Sequence, residues 1–178
     1  PMVWRGPMGS GALVQMLEQT DWGDLDYLVV DMPPGTGDIQ LSLSQKAALT
    51  GAVIVTTPQD IALLDARKGI EMFAKVSVPV LGIVENMATH VCSRCGHTEA
   101  IFGSAGGERI AAEYGVPVLA SLPLELAIRE RTDAGQPVVV AEAAGGAARA
   151  YLAAADALVD AVAGRSGTDG PTISVSDD

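Results

Sequence analysis

Short apolar runs alternate with amphipathic segments along most of the chain. The runs at 27–31, 52–57, 79–84 and 116–122 predict buried β-strands, because each is brief and is bounded by Pro, Gly or acidic residues. The segments between them carry apolar residues at helical spacing and predict helices over 12–19, 38–49, 60–75, 104–114, 124–133 and 141–163. Strands that alternate with helices favour an α/β fold, a mostly parallel sheet with helices on both faces.

The composition agrees with this fold class. Apolar residues make up 48% of the 178 residues and aromatics only 4%, so the core must consist mainly of Ala, Val, Leu and Ile, as is typical of buried parallel strands. The length suits one domain with a substantial core. From Gly164 onward Gly, Ser, Thr and Asp dominate. We therefore expect one α/β domain over 1–163 and a disordered tail over 164–178.

Charge and cysteine usage limit the possible partners and the compartment. The net charge of −11 argues against binding to nucleic acid or to anionic membranes, since both need basic patches. No apolar run is long enough to span a bilayer and no secretory signal is visible. The only two cysteines lie together as CxxC, which suits a reducing compartment. The expectation is a cytoplasmic protein without nucleic-acid or membrane partners.

Several polar or turn-forming residues stand where predicted strands end, and ligands of parallel sheets bind beyond those ends. Asp31 ends the first run, Asn86 follows the third and Pro123 closes the fourth. An acid in the position of Asp31 can reach a magnesium ion, while Gly35 and Gly37 allow backbone amides to turn towards a phosphate. From these residues alone, an Asp that only caps the next turn is an equally good interpretation.

Cys92 and Cys95, in the sequence CSRC, could direct two thiolates at one metal ion or one face of a cluster. Tetrahedral metal ions and [4Fe–4S] clusters are bound by about four protein ligands, so the two cysteines form only half of such a site. Either His90 and His97 complete a mononuclear zinc site, or a second copy of the chain brings another CxxC. Redox disulfide chemistry is a third possibility. It is less favoured, because thioredoxin-like pairs lie at a helix N-terminus and this pair follows a strand and a loop.

Several separated motifs together resemble one known family. In chain order they are MVWRGPM, DYLVVDMPPGTGD, VTTPQDIALLDARKGIEMF, VPVLGIVENM, CSRCG, IFGSAGG and LPLELAIRE. In order and spacing they resemble the Mrp/ApbC family of P-loop NTPases, which are iron–sulfur cluster carriers related to MinD. The resemblance runs from about Met2 to Ala163.

The resemblance implies a site for ATP with Mg²⁺. Asp31 matches the family's Walker-B acid, and the segment that holds Gly35 and Gly37 matches its switch II. Asn86 matches the asparagine that contacts the adenine ring, and Pro123 lies where the family's chain packs on the base.

The resemblance also implies a cargo and its partners. Cys92 and Cys95 match the CxxC that, paired with its twin in a homodimer, holds a bridging [4Fe–4S] cluster. The implied function is ATP-dependent delivery of that cluster to apo iron–sulfur proteins. The alternative belongs to another functional class: a non-enzymatic scaffold module with a structural zinc and no nucleotide turnover.

One feature of the family pattern does not occur in the sequence. The family has a phosphate-binding loop of the type KGGVGKS, whereas this chain contains no GKS or GKT. The resemblance places the loop upstream of Pro1, so we expect the chain to be the C-terminal part of such a domain, with a sheet incomplete at the N-terminus. We also expect exposed apolar surface beside the strand that ends at Asp31. Without the loop, ATP hydrolysis by this chain stays an open question.

Overall fold

The computed structural model of the protein describes residues 6–32, 38–47 and 49–165. Within these ranges the helices and strands follow one another in the order α1 (Gly6–Gln19), α2 (Asp38–Lys46), β1 (Ala52–Thr56), α3 (Asp60–Lys75), β2 (Val80–Val91), β3 (Thr98–Glu99), α4 (Gly106–Tyr114), β4 (Val118–Leu124), α5 (Leu126–Asp133), α6 (Val138–Ala141) and α7 (Gly146–Ala163).

The sheet is mostly parallel and is organised around β2. Strand β1 pairs in parallel with residues 80–85 of β2, and β4 pairs in parallel with residues 83–90. The two-residue strand β3 runs antiparallel to the last two residues of β2. Two parallel pairs that are connected through helices make this an α/β fold, as the sequence predicts.

Helices α3 and α4 form the main core with β1 and β2. In α3 the residues Leu63, Ala66, Ile70 and Phe73 recur at helical spacing and are all buried, which gives the helix one apolar face. Ile83 of the central strand has no exposed surface. Burial of a side chain of this size contributes about 1.5–3 kcal/mol. Helix α7 packs against β4 and β2. Among the described helices none is both long and apolar enough to cross a membrane.

Several predicted boundaries were wrong. Strand β2 continues to Val91, through a stretch predicted as loop, because β4 and β3 provide hydrogen-bonding partners for its last residues. Helix α4 begins at Gly106 and not at residue 104 as predicted, because Ala105 before it has a φ of 55°, in the left-handed region. The helix predicted over 141–163 begins later, at Gly146, and the short helix α6 ends at Ala141, where the predicted helix would begin.

The strand predicted over 27–31 does not form. Residues 24–32 belong to no helix or strand, and the exposed fractions of Tyr27, Leu28 and Val29 are 54%, 47% and 83%. A strand is stable only when a neighbour satisfies its backbone groups, and no described strand pairs with this segment. The exposed apolar surface expected here is therefore present, although the strand is not.

Candidate functional site

Three polar side chains form a row across the sheet. Thr56 of β1 pairs in register with Glu85 of β2, and Glu85 pairs with Ser121 of β4. Thr56 and Glu85 are buried, whereas Ser121 is exposed. Thr56 ends β1, whereas Glu85 and Ser121 lie within strands that continue past them. The row therefore lies at the carboxyl end of β1, beyond which ligands of parallel sheets can bind.

Asn86 lies at an irregular point of β2, and it does not end the strand as predicted. Its Oδ1 accepts a hydrogen bond from the backbone N–H of Met87 at 2.9 Å. Met87 has a φ of 56°, a left-handed conformation that non-glycine residues seldom adopt. The register between β2 and β4 shifts between Glu85 and Thr89, as at a β-bulge. The side-chain amide of Asn86 is thus held at a break in the ladder.

Pro123 lies within β4 and does not end it. It pairs with Thr89, and the strand continues to Leu124. Proline cannot donate to a ladder and is tolerated on an edge strand. Strand β4 is such an edge among the described strands, since it pairs only with β2.

The other predicted nucleotide ligands are Asp31, Gly35 and Gly37. Asp31 is exposed and follows the segment that pairs with no described strand. Gly35 and Gly37 lie outside the described residues. The roles assigned to these three residues therefore remain predictions.

Cys92 and Cys95 lie in the turn that connects β2 to β3. Cys92 donates its backbone N–H to the carbonyl of His97 at 2.9 Å, and Gly96 donates to the carbonyl of Cys92 at 2.8 Å. These two bonds close a tight turn around the pair. Both thiols are free, with Cys92 partly exposed and Cys95 exposed. The turn presents two thiols to solvent at the tip of a hairpin.

The environment of Cys92 favours its thiolate. The backbone N–H of Arg94 donates a hydrogen bond to the sulfur, and so do the backbone N–H and the side chain of Cys95, which together lower the pKa of Cys92 below its ordinary value. Partial burial and the charge of Glu99 oppose this shift without cancelling it. Since the thiolate is both the nucleophile and the metal ligand, the turn favours the form of Cys92 that could bind a metal.

We expect the alkylation rate of Cys92 to rise at a lower pH than that of an ordinary thiol, because a lowered pKa populates the thiolate earlier as the pH increases. In Cys95→Ala the side-chain donor of Cys95 is lost while the backbone donors remain, so the profile should shift only part of the way back. The measurement is iodoacetamide labelling of Cys92 between pH 5 and 10, quantified by peptide mass spectrometry. A rise at the ordinary thiol pH in the unmodified chain would contradict the geometry of the turn.

The two histidines do not complete a site around the thiols. Nδ1 of His90 lies 3.1 Å from the carbonyl oxygen of Leu124 in β4, so that nitrogen is engaged within the sheet. His97 is exposed. Within the described residues, no three His, Cys, Asp or Glu side chains lie close enough together to hold a metal ion. The described residues therefore offer two thiols toward the four ligands that a metal ion or a cluster would need.

Sequence reasoning missed Glu85. It is 4% exposed, and its Oε1 accepts a hydrogen bond from the N–H of Gly107 at 2.7 Å. The sequence did hold a signal, since Glu85 is an acid directly after the apolar run Val80–Val84 of a buried strand. Burial of an acid is unfavourable unless a hydrogen-bond donor compensates it, so the position of Glu85 predicts a donor beside it.

Known proteins were compared with this chain by sequence and by structure. A family model described as "ParA: NUBPL iron-transfer P-loop NTPase" matches residues 1–159. An iron–sulfur cluster carrier protein of Pseudomonas fragi is 68% identical over 142 residues, which are 80% of this chain and 50% of the relative. The chain therefore spans about half the length of that relative.

Solved structures give the same fold. A nucleotide-binding protein from Archaeoglobus fulgidus in complex with ADP aligns with a TM-score of 0.65 at 38% identity, over 71% of this chain and 52% of that chain. The septum site-determining protein MinD from Pyrococcus horikoshii, complexed with Mg-ADP, aligns with a TM-score of 0.63 at 26% identity, over 91% and 60%. The fold is thus MinD-like, and the chain belongs to the ParA family of P-loop NTPases, in the group described by the iron-transfer protein NUBPL.

Proposed function

We propose that this chain is part of an ATP-dependent iron–sulfur cluster carrier, with a labile [4Fe–4S] cluster as its cargo. The observation that carries the proposal is the half-site formed by Cys92 and Cys95, two exposed thiols without a third ligand in the described residues. A second copy of the chain would complete four thiolates, and separation of the two copies would remove half of the ligands. A cluster bound in this way can be released to an apo-protein.

The family membership supports this cargo, and the relative from Pseudomonas fragi bears the name of an iron–sulfur cluster carrier. The chain's acidic charge and lack of further cysteines fit the cytoplasmic homodimer expected from the sequence, with apo iron–sulfur proteins as recipients. A structural zinc completed by His90 is less well supported, because one nitrogen of that histidine is already engaged by Leu124.

The nucleotide part of the proposal rests on residue matches. Asp31 would hold Mg²⁺ through its carboxylate, Gly35 and Gly37 would approach the phosphates, and Asn86 and Pro123 would contact the base. The ADP complex of the similar protein from Archaeoglobus fulgidus supports a nucleotide site in this fold. Binding and hydrolysis would also need a phosphate-binding lysine, and this chain has no GKS or GKT.

Anaerobic reconstitution tests the proposal. The chain is incubated with ferrous iron and sulfide, desalted, and assayed for iron, sulfide, zinc and oligomeric mass. We expect about two iron and two sulfide per chain in a dimer, because one four-iron cluster is shared by two chains. One zinc per monomer without sulfide would instead identify the turn as a structural zinc site and would overturn the carrier function for this chain.

A further inference from the structure

Residues 86–106 carry both cysteines and run from the irregular point of β2, through the rest of that strand and β3, to the start of α4. We refer to this segment as the cysteine excursion. It begins directly after Glu85 in β2, passes through the Cys92–His97 turn and β3, and ends where α4 begins. Pairing with β4 and β3 holds residues 89–91 in the sheet, and a further contact joins the two ends of the segment.

One side chain joins the two ends of the excursion. Oε1 of Glu85, the last residue before the excursion, accepts a hydrogen bond from the N–H of Gly107, the first residue after it, at 2.7 Å. The first N–H groups of a helix have no partners within the helix, and Ala105 provides no side-chain cap for α4. Glu85 therefore caps α4 from the central strand.

The contact is both buried and close. Glu85 is 4% exposed, and Gly106 and Gly107 are buried. A Cβ built on Gly107 would lie 3.0 Å from the Cβ of Glu85, and one built on Gly106 would lie 2.8 Å from the Cα of Pro58. The helix start thus fits between β2 and the loop after β1 with no space for a side chain, which fixes the distance between the two ends of the excursion.

We propose that Glu85 is a positioning residue for the cysteine pair. By joining the two ends of the excursion it restricts the orientations in which the hairpin presents Cys92 and Cys95 to a second copy of the chain. This role rests on the proposed function for its purpose, but the hydrogen bond and its mechanical effect belong to the chain itself.

Hydrogen–deuterium exchange on the whole chain tests this role. In Glu85→Ala we expect the N–H groups of Cys92 and Gly96, both hydrogen-bonded within the turn, to exchange roughly tenfold faster or more, because the buried N–H of Gly107 loses its acceptor. The amides of β1 and α3 should change much less. Glu85→Gln is the matched control. It keeps an acceptor oxygen at the same reach and should restore slow exchange in the turn.

The outcomes separate positioning from general stability. Equal acceleration in the turn, β1 and α3 would show that Glu85 only stabilises the fold, and unchanged exchange in the turn of folded Glu85→Ala would also overturn the proposal. If Glu85→Ala fails to fold, Glu85→Asp is measured instead, since its shorter side chain withdraws the acceptor from Gly107 and should give the same local acceleration.

Exchange is measured without iron, so failure of the carrier function is a separate result. An unmodified chain that takes up no iron or sulfide would defeat the proposed function and leave the role of Glu85 intact. A chain that loads a cluster but shows no local effect in Glu85→Ala would defeat the positioning role alone.

Discussion

Replacement of Cys92 by serine is expected to reduce the iron and sulfide bound after anaerobic reconstitution by at least about tenfold. In the proposed dimer each chain contributes two thiolates, so the variant dimer would retain only two of four ligands. Cys95→Ser should have the same effect, because the described residues offer no third ligand that could replace either thiol. Iron and sulfide assays, together with the visible absorption of the cluster, measure the loss.

The fold should survive both substitutions, since the two thiols lie at the exposed turn and not in the core. Far-ultraviolet circular dichroism and the urea midpoint of each variant should match the unmodified chain. His97→Ala is the matched control, because it changes an exposed residue of the same turn without removing a thiol. Full cluster content in either serine variant would contradict the proposed ligands, and loss of metal in His97→Ala would favour zinc.

The elements that depend on local sequence were predicted well. Helix α3 begins at Asp60 and ends at Lys75, as its apolar spacing predicts, because every residue of its buried face lies within four positions of the next. Strand β1 was also placed within one residue. In both cases the signal is contained in fewer than twenty consecutive residues.

The errors occur where the structure depends on distant partners. The segment over 27–31 has the apolar pattern of a strand, but such a pattern becomes a strand only beside a neighbour, and no described strand adjoins it. Strand β2 is longer than predicted because β4, more than thirty residues away, supplies bonding partners beyond the left-handed Met87. Neither fact can be inferred from the residues near the boundary.

The same distinction between local signals and distant contacts applies to the candidate site. The sequence indicated the cysteine pair as half of a possible metal site, because CxxC is a local motif, and left open whether His90 and His97 complete it. It did not predict that His90 bonds to Leu124, or that Glu85 caps α4, since these contacts join residues 34 and 22 positions apart. The chemistry of the site was therefore visible in the sequence, whereas the contacts that orient it were not.

Gly106→Ala should destabilise the chain by about 1–3 kcal/mol, which is the usual effect of overpacking a filled site. The new Cβ would lie 2.8 Å from the Cα and 3.0 Å from the carbonyl oxygen of Pro58, and 3.1 Å from a methyl carbon of Leu63. Two of these three atoms belong to the backbone, so the loop after β1 must move away from α4. Urea unfolding should show a lower midpoint with an unchanged slope.

Gly146→Ala is the matched control, because Gly146 is also the first residue of a helix but has no atom within 4 Å of the position of a Cβ. Alanine restricts the unfolded chain more than glycine does, so this variant should be neutral or more stable by up to about 1 kcal/mol. Opposite signs at two equivalent helix positions would show that the contact with Pro58, and not helix propensity, sets the requirement for glycine. An unchanged midpoint in Gly106→Ala would mean that α4 can separate from this loop at little cost, and the end of the cysteine excursion would then be held by Glu85 alone.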